Sequence, residues 1–288
     1  MPKITLPTLV NGRRAETIAV SDRGLAYGDG LFETMVVAKG KIALLDFHLQ
    51  RLERGFNALG FVGVQRVDIE RDIATVLSLL AGVSCVVKLT ITRGSGGRGY
   101  RPPVDAVFSR IIRCSPMPDY SVEGDGVCVF LCRTKLPEAF ELAGLKHLNR
   151  LPQVQARNEW QPGVFFEGLM QDGRGIVVEA TQANLFWLDK NILYTNDLTR
   201  CGVAGVARQC ILTELAPLLD LEVRFADISY VDLLSVEAAF MSNSVAGIVP
   251  INSMKNVSDD ALMTFSNSAA RHTVSRLQSL FRRRLQQD

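Results

Sequence analysis

The apolar residues change their spacing several times along the chain, and each change marks an element. Short strand-like runs come first. Residues 4–10 read as a strand closed by the hairpin signal Asn11-Gly12, and residues 15–20 read as a second strand. Residues 32–37 and 42–45 read as a hairpin around Lys39-Gly40-Lys41. The period then becomes helical. Leu49, Leu52, Phe56 and Leu59 recur at helix spacing between Asp46, a good N-cap, and Gly60, a stop. A second helix is expected over residues 67–80, and strands return at 85–92 and 106–114. Between those strands lies Arg93-Gly94-Ser95-Gly96-Gly97-Arg98-Gly99-Tyr100, which taken alone reads as a flexible loop.

Residues 116–126 hold prolines, glycines and acids with little apolar content, which marks a domain boundary. The expected division is an N-terminal α/β domain, 1–118, and a C-terminal α/β domain, 119–288. The second half predicts strands at 127–135, 164–170, 175–179, 184–188, 222–225, 238–242 and 248–251. Helices are expected at 148–160, despite Pro152, and at 204–219. The tail, 258–285, reads as one long amphipathic helix. Strands and helices mix without strict βαβ alternation, so the expected class is α+β.

Composition narrows the function classes. With 288 residues, 47% hydrophobic and 22% charged, the chain can bury a core without disulfides or metals. A net charge of +2 gives no footing for nucleic-acid binding, and Arg282-Arg283-Arg284 suits the end of a helix dipole. No apolar run approaches the ~18 residues of a membrane span, and the first residues do not read as a signal peptide. The six cysteines show no CxxC spacing and sit among apolar neighbours, as reduced thiols do. Cys128 and Cys132 share a strand face, yet no His lies close in sequence, so no metal site is expected. A cytoplasmic protein is the expectation.

Several residues are candidates for chemistry. Lys146, between Leu145 and Leu148, has the apolar surroundings that favour a neutral amine for Schiff-base chemistry, although a lone lysine is ordinarily solvated. Glu179 ends the apolar run Gly175-Ile176-Val177-Val178 and is either a strand-end surface residue or a buried acid with a partner such as a protonated pyridine nitrogen. Gly202-Val203-Ala204-Gly205-Val206-Ala207-Arg208 opens a helix, where free N–H groups can hold an anion or where small residues merely ease packing. The loop of Arg93 and Arg98 lacks the Gly-Lys-Ser/Thr ending of a P-loop, but its arginines can clamp a carboxylate or phosphate. His48 and Arg51 fall on one helical face and by themselves read as surface residues.

In order along the chain, these pieces resemble the fold-type IV pyridoxal-phosphate (PLP) enzymes. The motifs are Ser21-Asp22-Arg23 with Gly28-Asp29-Gly30-Leu31-Phe32-Glu33-Thr34, then His48-Leu49-Gln50-Arg51-Leu52, then the 93–100 loop. The Lys146 motif, Glu179 with Asn184-Leu185-Phe186, residues 202–208 and Ser242-Asn243-Ser244 complete the set. The resemblance implies a two-domain, D-amino-acid aminotransferase-like architecture that binds PLP, takes a small-molecule substrate and forms a homodimer. It implies that Lys146 carries the cofactor and acts as general acid/base, and that Glu179 meets the pyridine nitrogen. It further implies that Arg51, the Val206-Ala207 backbone, Asn243 and Ser244 serve the cofactor phosphate. Arg93, Arg98, Tyr100, Thr34 and His147 would lie towards substrate.

Within the family, Lys146-His147-Leu148-Asn149-Arg150-Leu151 and the 93–100 loop resemble the aminodeoxychorismate lyases. The implied reaction converts 4-amino-4-deoxychorismate to 4-aminobenzoate and pyruvate. D-amino-acid or branched-chain transamination is the alternative, and a non-catalytic binding relative is the alternative of another class. Val245-Ala246-Gly247 departs from the resemblance, since many of the lyases carry bulkier residues there.

Overall fold

The computed structural model describes residues 6–120, 126–256, 259–265 and 267–287, with backbone only for 256 and 259–264. The chain divides into two compact units. The first comprises Met1–Asp119 together with Leu145–Asn149 and Leu285–Asp288; the second comprises Tyr120–Gly144 and Arg150–Arg284. Residues 4–5 of the first expected strand, 121–125 of the linker, and 258 and 266 of the expected tail helix lie outside the described residues.

The first unit is a six-stranded sheet with two helices on one face. Its strands are β1 (Thr8–Val10), β2 (Arg13–Arg14), β3 (Gly30–Ala38), β4 (Lys41–Ile42), β5 (Cys85–Thr92) and β6 (Ser109–Ser115), in the order β2-β1-β6-β5-β3-β4. A short α1 (Arg23–Tyr27) precedes β3, while α2 (Leu45–Leu59) and α3 (Arg66–Leu80) follow the β3–β4 hairpin. Alternation along β3 turns Leu31, Met35 and Val37 into a core with Leu49, Leu52, Phe56, Ile69 and Val76 of the helices. Gly55 permits the close approach of α2, because a Cβ there would lie 2.5 Å from Leu31.

The second unit contains a closed ring of strands. They are β7 (Val127–Leu131), β8 (Glu167–Gln171), β9 (Val177–Ala180), β10 (Asn184–Asp189), β11 (Ile192–Thr195), β12 (Glu222–Phe225), β13 (Ala238–Asn243), β14 (Gly247–Asn256) and β15 (Asp259–Thr264). The pairings run β10-β13-β14-β7-β8-β9 and return to β10 through Asn184 and Glu179. Six strands thus close a barrel, with β11–β12 and β15 as extensions. Val129, Leu169, Val177, Leu185, Met241 and Val249 belong to one core cluster. The helices are α4 (Leu151–Arg157), α5 (Val206–Cys210), α6 (Ala216–Leu218), α7 (Tyr230–Leu233) and α8 (Ser268–Arg284), with a π-helical turn at Ile211–Leu215 between α5 and α6. Among the described residues, no helix is long and apolar enough to cross a membrane.

Several local expectations are corrected. Residues 15–20 form no strand; Glu16 to Val20 are exposed, and among the described residues no strand pairs with them. Leu44, rather than Asp46, caps α2. The helix at 148–160 shrinks to Leu151–Arg157, because Leu148 pairs with Gly30 of the first unit's sheet and Pro152 is tolerated only in the first turn. The tail is not one helix: Asp259–Thr264 pairs antiparallel with β14, and α8 begins at Ser268.

Candidate active site

Lys146 is placed by strand pairing. Residues 145–149 run antiparallel to the start of β3, with Leu31 opposite His147. The Phe32 N–H donates to the Lys146 carbonyl at 2.9 Å, and the Leu148 N–H donates to the Gly30 carbonyl at 3.0 Å. This register sets Lys146 opposite Phe32, and its Nζ stands 4.5 Å from the centre of the Phe32 ring. Lys146 is half-buried. Thr34, two residues along β3, shares the Phe32 face. The same alternation turns His147 to the opposite face, where its Nδ1 accepts the Asn149 N–H at 3.2 Å. His147, expected with Thr34 to lie towards substrate, therefore does not share the face of Lys146.

Glu33, between Phe32 and Thr34, points to the helix side of the sheet. It is fully buried and anchors two candidates that the sequence alone left at the surface. The Arg51 Nε donates to it at 2.8 Å, an Arg51 amino group makes a second and shorter contact, and His48 Nδ1 lies 2.5 Å from the same carboxylate. Burial alone would raise the Glu33 carboxyl, but the Arg51 guanidinium and the His48 ring outweigh it and hold the carboxyl down at about 2, against an ordinary 4.5. Burial likewise pushes His48 below its ordinary value, with Glu33 opposing. A neutral ring facing a carboxylate carries its proton on Nδ1, which leaves Nε2 as a buried acceptor without a partner among the described residues. In the sequence Glu33 stood only inside the Gly28–Thr34 motif, with no role of its own.

The 93–100 loop separates its two arginines. Arg93 is buried, and its donors are occupied within the first unit. Its Nε reaches Asp29 at 2.9 Å, its amino groups hold the carbonyls of Leu59 and Gly60 at 2.7 and 3.1 Å, and it stacks 4.3 Å from the centre of Phe61. Those carbonyls end α2, so Arg93 closes a helix terminus and does not present a substrate clamp. Arg98 and Tyr100 remain exposed. The loop itself is pinned to the 21–29 segment by backbone hydrogen bonds, Arg23 N–H to Gly94 at 2.8 Å and Gly96 N–H to Ser21 at 3.2 Å, so the flexible reading is corrected.

In the second unit, Glu179 is 4% exposed. Its Oε2 accepts the Val203 N–H at 2.9 Å and the Asn184 amide at 3.3 Å, both neutral donors. Asn184 is the cross-strand partner of Glu179 and of Ser242, so these polar residues form a row across β9, β10 and β13. The Asn184 amide also donates to the Val203 carbonyl at 2.7 Å, while its oxygen accepts the Gly205 N–H at 3.1 Å. Asn184 thereby fastens Glu179 to the turn that opens α5 with Val206 and Ala207. A Cβ at Gly205 would lie 2.1 Å from the Asn184 oxygen. Asn243 spends its oxygen on the Val245 and Ala246 N–H groups at 2.9 and 2.7 Å, which shapes the turn that carries Ser244. The Ser242 hydroxyl is buried with no partner among the described residues. In the sequence Asn184 stood in a motif without a role of its own, and Ser242 only as part of the Ser242-Asn243-Ser244 loop on the phosphate side.

A family model, amino-transferase class IV, matches residues 30–254. An aminodeoxychorismate lyase of Vibrio harveyi is 33% identical over 250 residues, covering 84% of this chain and 89% of that protein. The one of Bacillus subtilis is 28% identical over 263 residues, covering 86% of each. Among solved structures, a 4-amino-4-deoxychorismate lyase from Pseudomonas aeruginosa superimposes with a TM-score of 0.86 at 40% identity, covering 94% of this chain and 98% of that one.

Proposed function

The chain belongs to the amino-transferase class IV family, and on that footing we propose that it is a PLP-dependent lyase that converts 4-amino-4-deoxychorismate to 4-aminobenzoate and pyruvate. The residues present suit the cofactor: an amine at Lys146, a buried carboxylate with neutral donors at Glu179 and an unpartnered buried hydroxyl at Ser242, while the Arg51 guanidinium is engaged by Glu33. Lys146 would hold the aldehyde. Glu179 would keep a proton on the ring nitrogen. Arg51, the Val206 and Ala207 amides and Ser244 would take the phosphate. Bound PLP supplies an electron sink for the charge left when a C–H bond beside the substrate amine breaks.

Lys146 then takes the proton from the amine-bearing ring carbon, and returns a proton to the departing enolpyruvyl group as it leaves as pyruvate. Arg98 and Tyr100 would orient a substrate carboxylate, for which a guanidinium fork is suited. The buried Arg93 has no part in this. Six free cysteines fit a cytoplasmic location, and the proposed assembly is a homodimer.

The observation that carries the reading is the placement of Lys146 by its pairing with β3. What favours a lyase over a transaminase is the likeness to the Vibrio harveyi and Pseudomonas aeruginosa proteins along nearly all of the chain. The test is incubation of the purified protein with 4-amino-4-deoxychorismate. Equal amounts of 4-aminobenzoate and pyruvate are expected. Amino-group transfer from D-alanine or a branched-chain amino acid to 2-oxoglutarate, with no 4-aminobenzoate formed, would replace the reading with a transaminase.

A further inference from the structure

One buried cation organises the loop that carries Arg98 and Tyr100. Arg23 lies in α1 with 4% exposure. Its amino groups donate to the carbonyls of Tyr100 at 2.8 Å, Gly99 at 3.2 Å and Arg101 at 3.5 Å. Its Nε donates to Asp29 at 2.8 Å. Its guanidinium lies 4.9 Å from the centre of the Tyr27 ring, which in turn meets the Tyr100 ring edge-on at 5.4 Å. Asp29 is the same carboxylate that anchors Arg93. One acid thus fixes two guanidinium groups, one ending α2 and the other gripping the loop.

The physical need is plain in the loop's composition. Four of the six residues from 94 to 99 are glycine, and ordering glycines carries the largest backbone entropy loss of any residue. Hydrogen bonds from a charged, planar fork to successive carbonyls offset that loss and fix each peptide plane. Fixing those planes fixes the directions in which the flanking side chains leave the backbone. Arg98 and Tyr100 themselves are exposed, so the order imposed from below settles where they point. A lysine offers a single charged nitrogen without the fork and cannot reproduce this grip.

We propose that Arg23 is a positioning residue for substrate: anchored on Asp29, it holds the carbonyls of Gly99, Tyr100 and Arg101 so that Arg98 and Tyr100 are set to receive a substrate carboxylate. The inference rests on the function proposed above, in which those two side chains meet that carboxylate.

Arg23→Lys tests it in the PLP-loaded protein, with Asp29→Asn as a second variant that loosens Arg23 without removing it. Two readouts are taken. The first is steady-state kinetics with 4-amino-4-deoxychorismate. The second is equilibrium binding of chorismate, which has both carboxylates and no amine to react. Arg23→Lys is expected to raise KM and the chorismate Kd about tenfold while kcat changes less than threefold and the cofactor's visible absorbance is unchanged. Asp29→Asn is expected to shift the same two constants in the same direction by about threefold. A merely structural arginine would lower the fraction of active protein and leave KM and Kd alone.

Arg98→Ala separates this inference from the reading beneath it. If Arg98→Ala weakens chorismate binding while Arg23→Lys and Asp29→Asn both bind it within twofold of the wild type, the positioning role is overturned and the clamp stands. If Arg98→Ala itself binds chorismate normally, the clamp fails and the positioning role falls with it. A loss of kcat at unchanged KM in Arg23→Lys also overturns the proposal.

Discussion

Replacing Glu33 with glutamine removes the carboxylate that balances Arg51 and engages His48, both on α2. Its carboxyl drops from 4.5 to about 2 on folding. At about 1.4 kcal/mol per unit, that shift contributes about 3.5 kcal/mol at neutral pH. Leaving a buried guanidinium without its anion costs about 3–5 kcal/mol by a separate route, so the two estimates overlap at about 3–4 kcal/mol. For a unit of this size the melting temperature should fall by about 10 °C. Because the folded value lies below the unfolded one, the contribution is complete above about pH 4.5 and disappears as pH falls towards 2. The gap between wild type and Glu33→Gln should therefore close over that window. Both tryptophans, Trp160 and Trp187, lie in the second unit, so tryptophan fluorescence would miss the event. Urea unfolding followed by hydrogen exchange of residues 30–59 reports it directly. A gap below about 1 kcal/mol at pH 7, or one that persists unchanged to pH 2, would refute the reasoning.

Glu167→Gln should behave in the opposite sense. Burial pushes the Glu167 carboxyl up despite its contacts with Arg157, the Gly168 N–H and Thr181. The wild type loses stability as pH rises through the ordinary carboxylate value towards the raised folded one, and a glutamine does not. The variant's stability relative to wild type should increase as pH rises above the ordinary carboxylate value of 4.5 in urea titrations; a decrease would contradict the assignment. Within the glycine-rich loop, Gly94→Ala places a Cβ 1.8 Å from the Val107 carbonyl at a φ of +74°, whereas Gly97→Ala meets nothing within 4 Å. Gly94→Ala should cost more than about 3 kcal/mol, and Gly97→Ala should stay within about 0.5 kcal/mol. Equal melting temperatures for the two would count against the loop as described.

Elements whose pattern is local were legible in the sequence. The helix of Leu49, Leu52, Phe56 and Leu59 and the strand of Cys85–Thr92 each carry their own period and emerged close to their expected bounds. Where tertiary pairing decides, the pattern was silent. The tail's apolar residues suit a helix, yet β14 recruits Asp259–Thr264 as a strand. Alternation at 15–20 found no strand partner among the described residues. No local signal announces that Leu145–Asn149, beyond the linker, clusters with the first unit and thereby fixes Lys146. The same limit applies to the polar groups. Read from the residues alone, Arg51 is a surface residue and Arg93 part of an anion clamp, but the fold puts Glu33 beside the one and the end of α2 beside the other.

The measurement that bears most directly on the account is the site of cofactor attachment. The purified protein, loaded with PLP and reduced with borohydride, is digested and its peptides are weighed. The account predicts a phosphopyridoxyl group on the peptide containing Lys146, lost in Lys146→Ala together with 4-aminobenzoate formation. A label on another lysine, or full lyase activity in Lys146→Ala, would contradict it.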